Sequence, residues 1–74
     1  MISPLDIGRA VRTARKAMGL RQDALAAAAG VGLRFVTELE RGKPTAELGR
    51  TLAVLAAAGL DVQIVARSSA TMAP

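Results

Sequence analysis

Gln22-Asp23-Ala24-Leu25-Ala26-Ala27-Ala28-Ala29-Gly30-Val31-Gly32-Leu33-Arg34-Phe35-Val36-Thr37-Glu38-Leu39-Glu40-Arg41-Gly42 is the stretch that decides the fold. Its first eight residues are strong helix formers closed by Gly30, which predicts a short helix. Four alanines in succession resemble low complexity, but the run is bounded by clear stops and small side chains let helix axes approach closely, so packing is the preferred reading. Leu33 to Arg41 reads as a further helix, with Val36 and Leu39 inward at a spacing of three, Phe35 beside them and Gly42 at its end.

Two helices joined by the tight Gly30-Val31-Gly32 link meet at a steep angle, the geometry of a helix-turn-helix unit. Upstream, Ile7, Val11, Ala14 and Met18 fall at helical steps, which predicts a first helix started by Ser3 and Pro4 and stopped by Gly19. Downstream, Thr45 is positioned to cap a fourth helix, with Leu48, Leu52, Val54 and Leu55 on or beside its buried face and Gly59 as its stop. The period then changes. Leu60, Val62 and Ile64 alternate with Asp61 and Gln63, as in a β-strand.

That strand has no partner in its own chain, because everything before it reads as helix. Unpaired strands are not stable, so residues 60–66 are expected to pair antiparallel with the same strand of a second copy, with Leu60, Val62 and Ile64 at the dimer interface. The alternative is an extended tail packed on the monomer. Residues 67–74 are small and polar and are expected to form a flexible tail.

Composition fits one small helical module. The chain has 74 residues, 51% of them hydrophobic, a single aromatic in Phe35, and neither cysteine nor histidine. It has no disulfide or zinc cluster to reinforce so small a core, which again favours self-association. No cofactor or metal is expected. No apolar run approaches the roughly 18 to 20 residues that span a bilayer, and the start lacks the pattern of a signal peptide, so a cytoplasmic location is expected.

The net charge of +4 is unevenly placed. Eight of the ten basic residues (Arg9, Arg12, Arg15, Lys16, Arg21, Arg34, Arg41 and Lys43) lie between positions 9 and 43, against Asp23, Glu38 and Glu40. Such a segment reads as a surface facing a polyanion; the alternative is a solvated helix face without a ligand. Enzymatic chemistry has little to work with. No His or Cys is available as nucleophile or base, Glu38 and Glu40 are two apart on a helix and diverge, and no glycine-rich phosphate loop precedes a lysine.

The run Gly19-Leu20-Arg21-Gln22-Asp23-Ala24-Leu25-Ala26, then Ala29-Gly30-Val31 and Phe35-Val36-Thr37-Glu38-Leu39-Glu40-Arg41-Gly42-Lys43-Pro44, closely resembles the Xre-type helix-turn-helix family over positions 7 to 60. The short length, the Pro44-Thr45 linker and the Leu60-Asp61-Val62 strand look most like HipB-type antitoxins, small repressors encoded beside a kinase-type toxin. This resemblance implies an all-α, lambda-repressor-like bundle of four to five helices whose C-terminal β-strand pairs across a homodimer. Residues 1–59 would then be the DNA-binding domain.

The resemblance also implies roles. The third helix would enter the major groove of an inverted-repeat operator, with Leu33, Arg34 and Thr37 at base edges. Arg34 can donate twice to guanine, Thr37 can bond a base or touch a thymine methyl, and Leu33 can meet a thymine methyl. Gln22 would clamp a phosphate at the N-terminus of the second helix, with Gly32, Arg21, Arg41 and Lys43 adding backbone contacts. Arg at position 21 and Gly at position 32 depart from the Ser or Thr caps usual in relatives. Glu40 would form a largely buried pair with Arg15 instead of approaching DNA.

The implied function is an autoregulating repressor and antitoxin that binds a kinase-like toxin. Two alternatives remain, a stand-alone Xre-type regulator and a protein-interaction adaptor that has lost DNA binding.

Overall fold

Four helices in chain order make up the regular structure: α1 (Pro4–Ala17), α2 (Gln22–Ala29), α3 (Leu33–Glu40) and α4 (Leu48–Ala57). The computed structural model describes residues 1–67, and the expected tail lies outside the described residues from position 68 onward. Among the described residues there is no strand.

α1 begins with a reciprocal cap. Ser3 Oγ accepts from the Asp6 amide at 3.2 Å and Asp6 Oδ2 accepts from the Ser3 amide at 2.9 Å, while Pro4 takes a first-turn position where its missing N–H costs nothing. The face α1 buries is Gly8, Val11 and Arg15. Ile7 and Ala14 flank it half-buried, whereas Met18, expected at its end, is the C-cap and stands half in solvent because the chain turns there into Gly19 at φ +71°.

Gly8 fixes how closely α1 approaches α3. A Cβ there would lie 2.8 Å from the Glu40 carbonyl oxygen and closer still to that of Leu39, so only hydrogen lets the α1 backbone rest on the end of α3. α2 packs against both α3 and α4. Its alanines divide between two roles: Ala26 is buried and Ala29 half-buried, but Ala24, Ala27 and Ala28 face solvent, so packing accounts for only part of the run. Val11, Leu25, Val36 and Val54 are fully buried and come one from each helix. Each such burial stabilises by roughly 1.5–3 kcal/mol.

α4 departs from expectation in two ways. Its N-cap is Glu47, not Thr45: the carboxylate accepts from the Gly49 amide at 2.9 Å and the Arg50 amide at 2.7 Å, satisfying two first-turn donors where a threonine hydroxyl would satisfy one. Its buried face is Thr51, Val54, Leu55 and Ala58, while Leu48 and Leu52 are 68% and 45% exposed. α4 packs chiefly on α2, and among the described residues its other flank, at Leu48 and Leu52, is only partly covered.

Beyond α4, Gly59 at φ +76° turns the chain and the Leu60 amide donates to the Leu55 carbonyl at 2.9 Å, which seats Leu60 half-buried beside the core. Residues 61–66 run on without helix or sheet pairing, and Ile64 is 95% exposed. Leu60 and residues 61–65 border a mostly apolar groove whose other wall is Ile2, Ile7, Leu48 and Leu52.

Candidate nucleic-acid interface

The outward side of α3 is built from what its core-facing side leaves over. Val36, Leu39 and Glu40 are buried, so Leu33, Arg34, Thr37 and Glu38 fall on the opposite flank. Gly32 is the α3 N-cap and supplies no side-chain hydrogen bond, so the Leu33 and Arg34 amides of the first turn meet no capping side chain. Leu33 is half exposed, and the Arg34 side chain is 90% exposed.

Beneath this surface lies a connected polar network. Arg15 Nε donates to Glu40 Oε2 at 2.7 Å and a terminal Arg15 nitrogen donates to Glu40 Oε1 at 3.0 Å, a two-pronged pair between α1 and α3. The other terminal nitrogen donates to the Leu20 carbonyl at 2.8 Å, tying in the α1–α2 link. Gln22 Nε2 donates to Glu40 Oε1 at 3.0 Å, and the Thr37 hydroxyl donates to Gln22 Oε1 at 3.1 Å. The chemistry fixes the amide orientation, since a carboxylate only accepts and needs the NH₂ end.

Burial pushes the Glu40 carboxyl up, but the hydrogen bonds from Arg15 and Gln22, with the charges of Arg15 and Arg12, outweigh it, and its pKa lies below the ordinary value. The hydrogen bond to Glu40 likewise holds the Arg15 pKa above the usual arginine value.

Gln22 therefore stands differently from a side chain reaching freely for a phosphate. It is half-buried, its oxygen takes the Thr37 hydroxyl, and one of its two amide hydrogens is used on Glu40. Thr37 is equally committed, being also within 3.1 Å of the Leu33 carbonyl. The N-terminus of α2 is partly filled from within, because Asp23 Oδ1 accepts from the Ala24 amide at 2.8 Å and lies 3.5 Å from Arg21 Nε.

Three cations complete the outer ring. Arg41 is the exposed C-cap of α3, Lys43 follows the turn at Gly42, and Arg21 extends into solvent from the α2 cap. Lys43 Nζ lies 3.1 Å from Glu38 Oε1 and Arg34 Nε lies 3.4 Å from Glu38 Oε2. The hydrogen bond from Lys43 first, and then the charges of Lys43 and Arg34, hold the Glu38 carboxyl below its ordinary pKa. Arg12, counted in the sequence among the basic residues but given no site role, lines the same cleft as Gln22, Thr37 and Arg41. Its signal was its position one turn before Arg15 on α1.

The helix-turn-helix family HTH_3 matches residues 11–66. A protein of Sinorhizobium fredii (strain NBRC 101917 / NGR234) described as an uncharacterized HTH-type transcriptional regulator, y4mF, is 55% identical over 64 residues, which is 86% of this chain and 84% of that protein. Among solved structures, a chain of a HipB(S29A)–O2 20mer complex superposes with a TM-score of 0.80 over 90% of this chain and 93% of that one, at 19% identity. At that identity the likeness is one of fold.

Proposed function

Because the chain belongs to the HTH_3 helix-turn-helix family, a group to which Xre-type regulators conform, we propose that it is a sequence-specific DNA-binding repressor acting as a homodimer. The observation that carries this reading is the outward flank of α3. Arg34 projects there almost fully exposed, beside Leu33 and Thr37 and within a ring formed by Arg21, Arg41 and Lys43. In this reading Leu33, Arg34 and Thr37 meet base edges. Arg21, Arg41, Lys43, the first amides of α3 at Gly32 and the spare Gln22 hydrogen meet phosphates. The Arg15–Glu40–Gln22–Thr37 network sets the posture of α3 before DNA arrives.

Residues 60–66 serve as the dimerisation strand in the same reading. The support is physical: a β-branched segment with unused backbone groups borders an apolar groove, and the same segment of a second copy would satisfy both. Two-fold symmetry then places the reading helices about one helical turn apart, roughly 34–36 Å, over an inverted repeat. Sedimentation should return a dimer at micromolar concentration, and Ile64→Asp should shift it to monomer; a wild-type monomer there removes the dimer.

The finer reading is an antitoxin that represses its own operon and binds a kinase-like toxin. It rests on the likeness of fold to HipB and on the Pro44-Thr45 linker and the Leu60-Asp61-Val62 segment. A stand-alone regulator is the second reading, favoured by the description of the 55%-identical relative as a transcriptional regulator. Binding of a duplex from upstream of its own coding region, weakening steeply with salt, tests the DNA role. Copurification with the product of a neighbouring kinase-like reading frame separates antitoxin from stand-alone regulator. Failure to retard any duplex in dilute buffer would sink the DNA role.

A further inference from the structure

Glu38 is the one acidic side chain on the outward flank of α3 among the described residues, and it is placed where a DNA-binding surface gains nothing from it. Its two oxygens are divided between two cations. Oε1 holds Lys43 Nζ at 3.1 Å, and Oε2 holds Arg34 Nε at 3.4 Å one helical turn away. A carboxylate there is a poor structural investment, since Arg34 is 90% exposed and exposed pairs contribute little stability. It has a different consequence. A phosphate that draws Arg34 or Lys43 away from Glu38 leaves that carboxylate facing the phosphates unneutralised.

Resting on the reading that α3 faces DNA, we propose that Glu38 is a specificity-determining residue, an internal counter-charge that withholds Arg34 and Lys43 from non-cognate DNA. On a random duplex the two cations can gain only phosphate contacts, which are weak and salt-sensitive, and Glu38 competes with those on nearly equal terms. On a cognate site Arg34 gains two directed hydrogen bonds to a guanine edge, which a single 3.4 Å contact to Glu38 does not match. The carboxylate thus costs more in the wrong complex than in the right one, and discrimination arises by penalising the competitor.

The test uses the full chain and two duplexes, one selected by the wild-type protein from a randomised pool and one with the same bases scrambled. Glu38→Gln keeps the side chain's shape and removes its charge. It should tighten binding to the scrambled duplex about tenfold and to the selected duplex by less than about threefold, and steepen the salt dependence on the scrambled duplex by roughly one to two phosphate equivalents. Thr13→Lys, on the α1 flank that borders Leu60, raises the net charge equally and should tighten both duplexes alike. Glu38→Asp, which keeps the charge but shortens its reach, should lie between wild type and Glu38→Gln.

Equal tightening on both duplexes, or a Glu38→Gln profile matching Thr13→Lys, overturns the counter-charge role while leaving the DNA reading intact. A wild-type chain that enriches no sequence from the pool overturns the DNA reading, and this proposal with it.

Discussion

Arg15 and Glu40 are 25 positions apart in the chain, yet two Arg15 nitrogens grip the two oxygens of Glu40 at 2.7 and 3.0 Å with both side chains almost wholly shielded from water. Removing one partner strands a buried charge. Arg15→Ala should therefore destabilise the fold by roughly 3–5 kcal/mol, read from the denaturation midpoint, because Glu40 keeps only Gln22 as a donor. Arg15→Ala/Glu40→Leu should recover part of that loss, since no charge is then left behind.

The same pair gives the acid limit a sign. The native pKa of Glu40 is lowered, so the folded state binds its proton less readily than the unfolded chain does. Its contribution is whole above the ordinary glutamate value of 4.5 and is lost as the pH falls through the lower native value. Thermal melts followed by far-UV circular dichroism should show Tm falling below about pH 4.5 for wild type. The fall should be shallower for Glu40→Gln, whose amide does not titrate there.

Gly8→Ala should destabilise by about 1–3 kcal/mol although it adds a single methyl to a helix, where alanine is ordinarily favoured. The methyl would meet the carbonyl ends of α3, which are backbone and cannot rotate aside. A Gly8→Ala chain as stable as wild type in urea would show that the close approach of α1 to the Glu40 carbonyl does not limit the residue at position 8.

Glu47 and Thr45 make a paired test of where α4 begins. Glu47→Ala removes the acceptor of two first-turn amides and should lower Tm measurably, whereas Thr45→Ala should leave it unchanged. The Glu47 carboxyl is held below its ordinary pKa by the amides of Arg50 and Gly49, so its cap weakens on acidification as well.

On the proposed DNA-facing flank of α3, Arg34 and Lys43 should differ in kind. Arg34→Ala should flatten discrimination at one base pair by roughly 5- to 150-fold, read from binding to a panel of single-position variants. Lys43→Ala should weaken all duplexes alike and reduce the logarithmic salt slope by about one.

The two central helices were legible in the sequence because glycines at 19, 30 and 42 mark their ends, and each adopts the positive φ that ends helices. The Arg15–Glu40 pair was legible through the family resemblance, with which the need of a core-side carboxylate for a cation agrees. α4 was harder to read. Periodicity alone assigns Leu48 and Leu52 to a buried face, but burial depends on what lies opposite, and among the described residues α4 packs chiefly on α2. Its cap misled for a local reason: a hydroxyl at position 45 fits the usual preference, while a carboxylate two residues on reaches two amides at once. The engagement of Gln22 with Glu40 and Thr37 is a three-body arrangement that no pairwise spacing reveals.

The seat that Gly8 provides has an evolutionary reach. Because main chain rests on main chain, the posture of α3 does not depend on Leu33, Arg34 or Glu38 on its far flank. Leu33, Arg34 and Glu38 can then drift as a set without cost to the fold, and if α3 reads DNA as proposed, a lineage can acquire new target sequences that way. Thr37 is the exception, for its hydroxyl is wired to Gln22, and change there would be felt on both sides of the helix.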